Sequence, residues 1–286
     1  MSSPKVSVLM PVYKTQKEFL IESIKSILNQ TFKDFEFIIL DDCPADRREE
    51  IVKSFNDPRI IYLQNEKNLG ISASRNKLID LAKGEYLAVF DHDDLSLPER
   101  LEKEVKYLDE HKCVGVVSAN MKFMCSDHYS NYPTTNQLIK GTMLTDYCLA
   151  HTASMIRKSV LIDNNIRYEA EFSPCEDYML WARLMDKTMF HNIPEVLVLY
   201  RDSEVNTSHN SEALMSDQTT IIRQFLKNKF PDLRELSLRK YVYIKFLGLP
   251  LIKIRTTLAS KKYYLFGFIP VLQIKTEYKD PHPNGI

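Results

Sequence analysis

Tyr86-Leu87-Ala88-Val89-Phe90-Asp91-His92-Asp93-Asp94 runs five strand-forming residues straight into three carboxylates within four positions. The apolar part reads as a strand covered on both faces, and ligands in open α/β sheets collect at the C-terminal ends of such strands. Three anions at that point are costly unless a cation joins them. Carboxylate oxygens suit Mg2+ or Mn2+, so a divalent metal is the simplest candidate, with a merely acidic turn as the alternative.

Working outward, strands and helices alternate. Strands are expected over 6–12, 35–40, 59–63, 86–90 and 114–119. Leu20, Ile24, Ile27 and Leu28 recur at helical spacing, and further helices are expected over 47–55 and 71–82. Gly84 is read as the stop of the helix before it. Ser96-Leu97-Pro98-Glu99 has the form of a capping box that opens a helix presenting Leu101, Val105 and Leu108. This rhythm predicts a doubly wound parallel sheet. Its C-terminal edge would gather Tyr13, Asp41-Asp42 and Asp91-His92-Asp93. Neither GxGxxG nor GxxxxGK[ST] occurs, so a bound phosphate would need neutralising by other means, such as a metal on Asp93.

At 286 residues, 44% apolar and 27% charged, the chain has room for one large domain or for one domain plus an appendage, and with 7 glycines and no repeats it is neither fibrous nor low-complexity. The net charge of zero conceals a split: residues 221–286 hold 13 Lys and Arg against 4 Asp and Glu, a net of +9, and the rest carries −9. A basic tail implies an anionic partner, a membrane surface or a nucleic acid. The five scattered cysteines show no zinc spacing and fit reduced thiols in a cytosol. The expected first strand begins almost at Met1, which is read as the absence of a signal peptide. No apolar run approaches the roughly 20 residues that span a bilayer.

Several ordered motifs over about residues 5–205 together resemble the inverting family 2 glycosyltransferases of GT-A fold. They are Val6-Ser7-Val8-Leu9-Met10-Pro11-Val12-Tyr13, Ser26-Ile27-Leu28-Asn29-Gln30-Thr31, Leu40-Asp41-Asp42, Asn68-Leu69-Gly70 with Ser74-Arg75-Asn76, Asp91-His92-Asp93-Asp94, and Glu176-Asp177-Tyr178 with Leu180-Trp181. The resemblance implies a GT-A, Rossmann-like, doubly wound mixed sheet in residues 1–215. Its nucleotide-binding half would be about 1–120 and its acceptor-binding half about 121–215. A helical, basic C-terminal appendage would follow over 216–286.

It also implies roles. Pro11, Val12, Tyr13 and Asp42 match the base pocket of a nucleotide sugar, where an ionised Asp can accept from an imide N–H of uracil. Asp41 would support the loop. Arg75 matches a residue near the base and diphosphate, with a surface salt bridge as the alternative. Asp91 would face the ribose and contribute to the metal site, Asp93 would ligate Mn2+ or Mg2+, His92 stands between them as a spacer or contact, and Asp94 would cap the turn. Asp177 matches the catalytic base, held ionised near a helix N-terminus. Glu176 would orient it or the acceptor. Trp181 would line the sugar site or pack in the core, and His151 would sit near the active site or be a satisfied buried histidine.

The implied reaction transfers a sugar from a nucleotide-diphosphate sugar, with UDP as the expected nucleotide, to a hydroxyl of a glycan or lipid-linked acceptor in surface-polysaccharide synthesis. Two departures stand out. Cys43-Pro44 replaces the Gly-Ser common in the family, and Ser203 stands where members often carry a metal-binding His, which leaves His209 as a substitute. The tail, with its stretch Lys261-Lys262-Tyr263-Tyr264-Leu265-Phe266-Gly267-Phe268-Ile269-Pro270-Val271-Leu272, resembles an interfacial anchor on an anionic membrane; packing on the catalytic domain is the alternative. Nucleic acid is not the expected partner, since no recognised module accompanies the charge. A cytoplasmic enzyme peripheral to the membrane follows. The competing readings are a sugar-phosphate nucleotidyltransferase, although Tyr13-Lys14-Thr15-Gln16 lacks that class's glycine-rich basic loop, and a catalytically silent nucleotide-sugar binder.

Overall fold

A computed structural model describes residues 3–202 and 211–233 and the strands of residues 240–246, 249–256, 260–265 and 269–275. One eight-stranded mixed sheet, ordered β3-β2-β1-β4-β7-β6-β8-β5, organises the catalytic part. Its strands are β1 Val6–Val12, β2 Phe35–Asp41, β3 Ile60–Gln64, β4 Tyr86–Val89, β5 Leu95–Ser96, β6 Val114–Phe123, β7 Met155–Arg157 and β8 Met189–Tyr200. β1 pairs in parallel with β2 and β4, and β2 with β3. These are the strands expected from the apolar runs. The short β7 runs antiparallel to both β4 and β6, which makes the sheet mixed.

Helices cover both faces: α1 Lys17–Leu28, α2 Glu49–Ser54, α3 Ile71–Leu81, α4 Arg100–Glu110, α5 Asn136–Met143, α6 Lys158–Asp163, α7 Glu176–Leu184 and α8 Glu212–Lys229. Alternate residues of each strand feed two cores. Val8, Met10, Phe37 and Ile39 pack with Leu20, Ile24, Ile27 and Leu101 on one face. Leu9, Ile38, Leu40 and Val89 pack with Leu78, Trp181, Ile222 and Leu226 on the other. Burial on both faces explains why these strands read as continuous apolar runs.

Three local expectations are corrected. The capping box at Ser96 does not form: Ser96 pairs with Val198 as part of β5. The amide of Leu101, near the start of α4, donates instead to Oε1 of Gln30 at 3.0 Å, a partner 71 positions away. Gly84 lies beyond the C-cap of α3, which is Ala82. Its requirement is close approach, since a Cβ there would meet the backbone nitrogen of Ser7 at 2.5 Å. Among the described residues of the appendage, α8 and residues 231–233 are helical. Beyond them lies a four-stranded antiparallel sheet, β9 Lys240–Phe246, β10 Leu249–Thr256, β11 Ser260–Leu265 and β12 Ile269–Lys275. Its sequence is dense in Tyr, Ile and Val, which favour strands. α8 straddles the division expected at 215/216, and its Ile222 and Leu226 are fully buried in the catalytic core. Among the described residues no helix is long and apolar enough to cross a membrane.

Candidate active site

Parallel β1, β2 and β4 end on one edge, so Tyr13, Asp42 and Asp91 meet there as expected. Antiparallel β7 begins at that same edge, which adds the turn His151–Ala153 just before it. Asp91 follows Phe90, whose amide donates to Leu9 O at 3.1 Å, and the amide of Asp91 donates to the hydroxyl of Thr152 at 3.2 Å.

The β4 end is braced from beneath by Arg100. This fully buried guanidinium donates to Val89 O at 2.8 Å and Ser154 O at 3.2 Å, and pairs with the equally buried Glu104 at 3.1 Å. Arg201 braces the turn from the other side. Its backbone amide donates to Oδ1 of Asp94 at 2.9 Å, its Nε to Asp93 O at 2.8 Å, and its Nη2 to Glu22 at 2.5 Å. Asp94 is buried and structural, as expected. Asp91 and Asp93 stay partly open, and His92 Nδ1 lies 3.8 Å from Oδ1 of Asp93.

Arg75 links this acidic turn to α7. Its Nη2 donates to Oδ1 of Asp91 at 3.1 Å and its Nη1 to Oε1 of Glu176 at 2.5 Å, while its guanidinium lies 5.5 Å from the Tyr168 ring centroid. Burial opposes the charge on Arg75, but the carboxylates of Asp91 and Glu176 outweigh it and hold the guanidinium protonated. Burial likewise raises the Asp91 carboxyl, and Arg75 outweighs it, so Asp91 stays ionised. The Arg75 alternative of a surface salt bridge is set aside, because the pair is buried.

On α7, Glu176 is 5% exposed whereas Asp177 is half-buried, so Asp177 is the carboxyl with a path to a substrate. The amide of Tyr178 donates to its Oδ1 at 2.6 Å, and the hydroxyl of Tyr147 donates to its Oδ2. The expectation that the helix N-terminus simply holds Asp177 ionised is corrected. Burial, and then the negative charge of Glu176, push its carboxyl up to about 6. That value lies nearer neutrality, where a general base works best.

The remaining candidates separate. Asp42 is buried, and its carboxylate already accepts from Asn65 Nδ2 at 2.8 Å and from the amides of Leu69 and Gly70, both at 2.9 Å. It therefore fixes the turn that starts α3, with one of its roughly four acceptor positions left over. Asp41 accepts from Cys43 N, Arg48 N and Tyr62 Oη and supports the loop, as expected. Pro11 and Val12 are buried in β1, and Tyr13 stands 43% exposed at the rim. Trp181 is 1% exposed and belongs to the core, so it does not line an open sugar site. His151 is a buried histidine with Nε2 2.8 Å from the Tyr168 hydroxyl. Burial, reinforced by the charge of Arg75, holds it neutral.

Among the described residues no three His, Cys, Asp or Glu side chains converge to hold a metal unaided. Ser203 and His209 lie outside the described residues. The hard oxygens of Asp91 and Asp93 suit Mg2+ or Mn2+ only if the donor's phosphates complete the shell, as is usual for Mg2+. Tyr147, Tyr168, Thr152 and Arg201 are the site residues that the motifs did not name.

Parallel strands β1 to β4, an acidic turn at their shared edge and a carboxyl at the start of α7 make up a GT-A glycosyltransferase fold. The family model for glycosyl transferase family 2 matches residues 7–164, and the chain belongs to that family. An uncharacterized glycosyltransferase of Methanocaldococcus jannaschii is 35% identical over 210 residues, 70% of this chain and 72% of that one. The O-antigen biosynthesis glycosyltransferase WbnJ of Escherichia coli is 30% identical over 238 residues, 78% of this chain and 90% of that one. Among solved structures, TarS of S. aureus in complex with UDP-GlcNAc superposes with a TM-score of 0.64 at 21% identity, covering 79% of this chain and 73% of that one. The mannosyltransferase PcManGT of Pyrobaculum calidifontis, in complex with GDP-Man and Mn2+, gives 0.60 at 14% identity, covering 82% and 70%. The protein is a glycosyltransferase, which sets aside the nucleotidyltransferase reading.

Proposed function

We propose that the enzyme transfers a sugar, with inversion, from a UDP-sugar to a hydroxyl of a glycan or lipid-linked acceptor in surface-polysaccharide synthesis. The observation that carries this is the Asp91–Arg75–Glu176 chain, which couples the acidic turn to the helix bearing Asp177. WbnJ supports the polysaccharide class, and TarS with UDP-GlcNAc supports the nucleotide.

Pro11, Val12 and Tyr13 form the wall and rim of the base pocket, and the spare acceptor position of Asp42 receives an imide N–H. Asp93, with Asp91, holds the divalent ion, which when bound neutralises charge on the diphosphate. Asp177 takes the proton of the acceptor hydroxyl. The freed oxygen forms its bond to the anomeric carbon from the face opposite the diphosphate, the carbon–phosphate-oxygen bond breaks, and the nucleoside diphosphate leaves with the electron pair. Single displacement inverts the centre, by the logic of inverting glycosidases. His92 borders the ribose, and Glu176 keeps Arg75 in place beside the base. The basic residues beyond 221 serve an anionic membrane surface, which brings a cytoplasmic enzyme to a lipid-linked acceptor.

A thermal-shift screen of nucleotide sugars with Mn2+ tests the donor, because a ligand that binds the folded state raises the midpoint. A UDP-sugar should do so. A response to GDP-sugars alone would overturn the UDP assignment, and no response to any nucleotide sugar would overturn the donor site. Release of nucleoside diphosphate on turnover separates the enzyme from a silent binder.

A further inference from the structure

The hydroxyl of Tyr147 donates to Oδ2 of Asp177 from a loop that follows α5. The Tyr147 ring is fixed edge-to-face on Tyr178, with centroids 5.8 Å apart, and Tyr178 is itself anchored through its hydroxyl to Met143 O at the end of α5. Tyr147 is therefore a donor held by packing, 30 positions from the carboxyl that it meets. With the amide of Tyr178 on Oδ1, each oxygen of Asp177 receives one fixed donor and retains lone-pair capacity for an acceptor proton.

We propose that Tyr147 is a positioning residue for the base: its hydroxyl fixes the rotamer of Asp177 and favours the ionised carboxylate that accepts the substrate proton. This deepens the function proposed above and rests on Asp177 being the base. The physical reason is that a hydrogen bond to the charged form of an acid stabilises that form. Other groups acting on Asp177 are Glu176 on its own helix, Arg75 on α3, Cys175, and the phenols of half-buried Tyr132 and buried Tyr168. Glu176 opposes ionisation and Arg75 favours it. Tyr147 is the neutral side chain that donates directly to the Asp177 carboxylate, and Tyr147→Phe removes that donor.

The test follows the Asp177 carboxyl directly, since the acceptor is unidentified. Protein labelled with 13C at aspartate carboxyls is titrated by NMR, the Asp177 resonance being assigned by its loss in Asp177→Asn. In Tyr147→Phe the midpoint should rise by about one to two pH units, the shift equivalent to losing a hydrogen bond to a charged group. Replacing Tyr147 by a fluorinated tyrosine keeps the shape, strengthens the donor and should move the midpoint down. The low-pH limb of UDP-sugar hydrolysis should move in step with each. An unmoved carboxyl midpoint in the fluorotyrosine protein, or in folded Tyr147→Phe, overturns the inference. If the midpoint moves but the hydrolysis limb does not, Tyr147 still tunes Asp177, and it is the base assignment that fails.

Discussion

Arg75 and Glu176, 101 positions apart in the chain, form a buried charge-assisted hydrogen bond of 2.5 Å. The same guanidinium reaches Asp91, so one side chain joins the acidic turn after β4 to the start of α7. Removing one member of a buried ion pair leaves its partner's charge uncompensated, at a cost of about 3–5 kcal/mol. Arg75→Met should therefore lower the thermal midpoint by roughly 6–20 °C. Arg75→Lys should recover only part of this, because an ammonium is a compact point charge and not a planar fork. Melting curves of the two variants decide it; equal stability of Arg75→Met and wild type would remove the bridge from the energetics.

Glu104 gives the fold a pH dependence of its own. Burial, against the pull of Arg100, pushes its carboxyl up to about 7, whereas the ordinary value is 4.5. Between those values the folded state keeps a proton that the unfolded chain has released, so stability falls as pH rises from about 4.5 to about 7 and levels off above. Glu104→Gln removes this titration. Wild type should lose up to about 3 kcal/mol relative to the variant across that window, read from denaturant midpoints at each pH. A constant difference between the two proteins would contradict the assignment.

Asp93→Ala removes the oxygen ligand proposed for the divalent ion while Asp94 and Arg201 keep the turn in shape. Nucleotide binding by calorimetry should lose its dependence on Mn2+, weakening by roughly 10–100-fold, the scale of loss for disturbed metal sites. Unchanged Mn2+ dependence would take the metal away from Asp93.

Truncation after residue 233 leaves α8 whole, with Ile222 and Leu226 still in the core. Such a protein should melt like the full chain yet fail to sediment with anionic vesicles. Continued sedimentation would place membrane affinity elsewhere.

How much of this was legible depends on the range of the interactions. β1, β2 and β4 announced themselves because burial on both faces demands unbroken apolar runs, and the edge they share follows from parallel pairing. β7, three residues long, carries no period to detect. β8 contains Pro194, and its pairing with β6 shifts register between Ala119 and Asn120, where Ile193 gives way to Val196. A proline in an apparent strand argues against it locally, although a bulge accommodates it. The acidic turn, Arg75 and Asp177 were readable from motifs. The long-range partners were not: Gln30 accepts from the amide of Leu101 across 71 positions, Arg201 donates to Asp93 across 108, and Tyr147 donates to Asp177 across 30. Trp181 and the region beyond α8 show the converse. Local chemistry left Trp181 between a sugar site and the core, and packing decided for the core; it read the other as helical, and strand propensity made it a sheet.

The most direct test of the reaction is Asp177→Asn, measured for turnover of UDP-sugar and for UDP affinity on the same preparation with Mn2+. Loss of a general base costs typically 100–10,000-fold in rate. The predicted result is turnover reduced by that factor with UDP affinity unchanged, since the role proposed for Asp177 is to take the acceptor's proton and not to hold the nucleotide. Turnover at the wild-type rate, with folding and UDP binding intact, would contradict it.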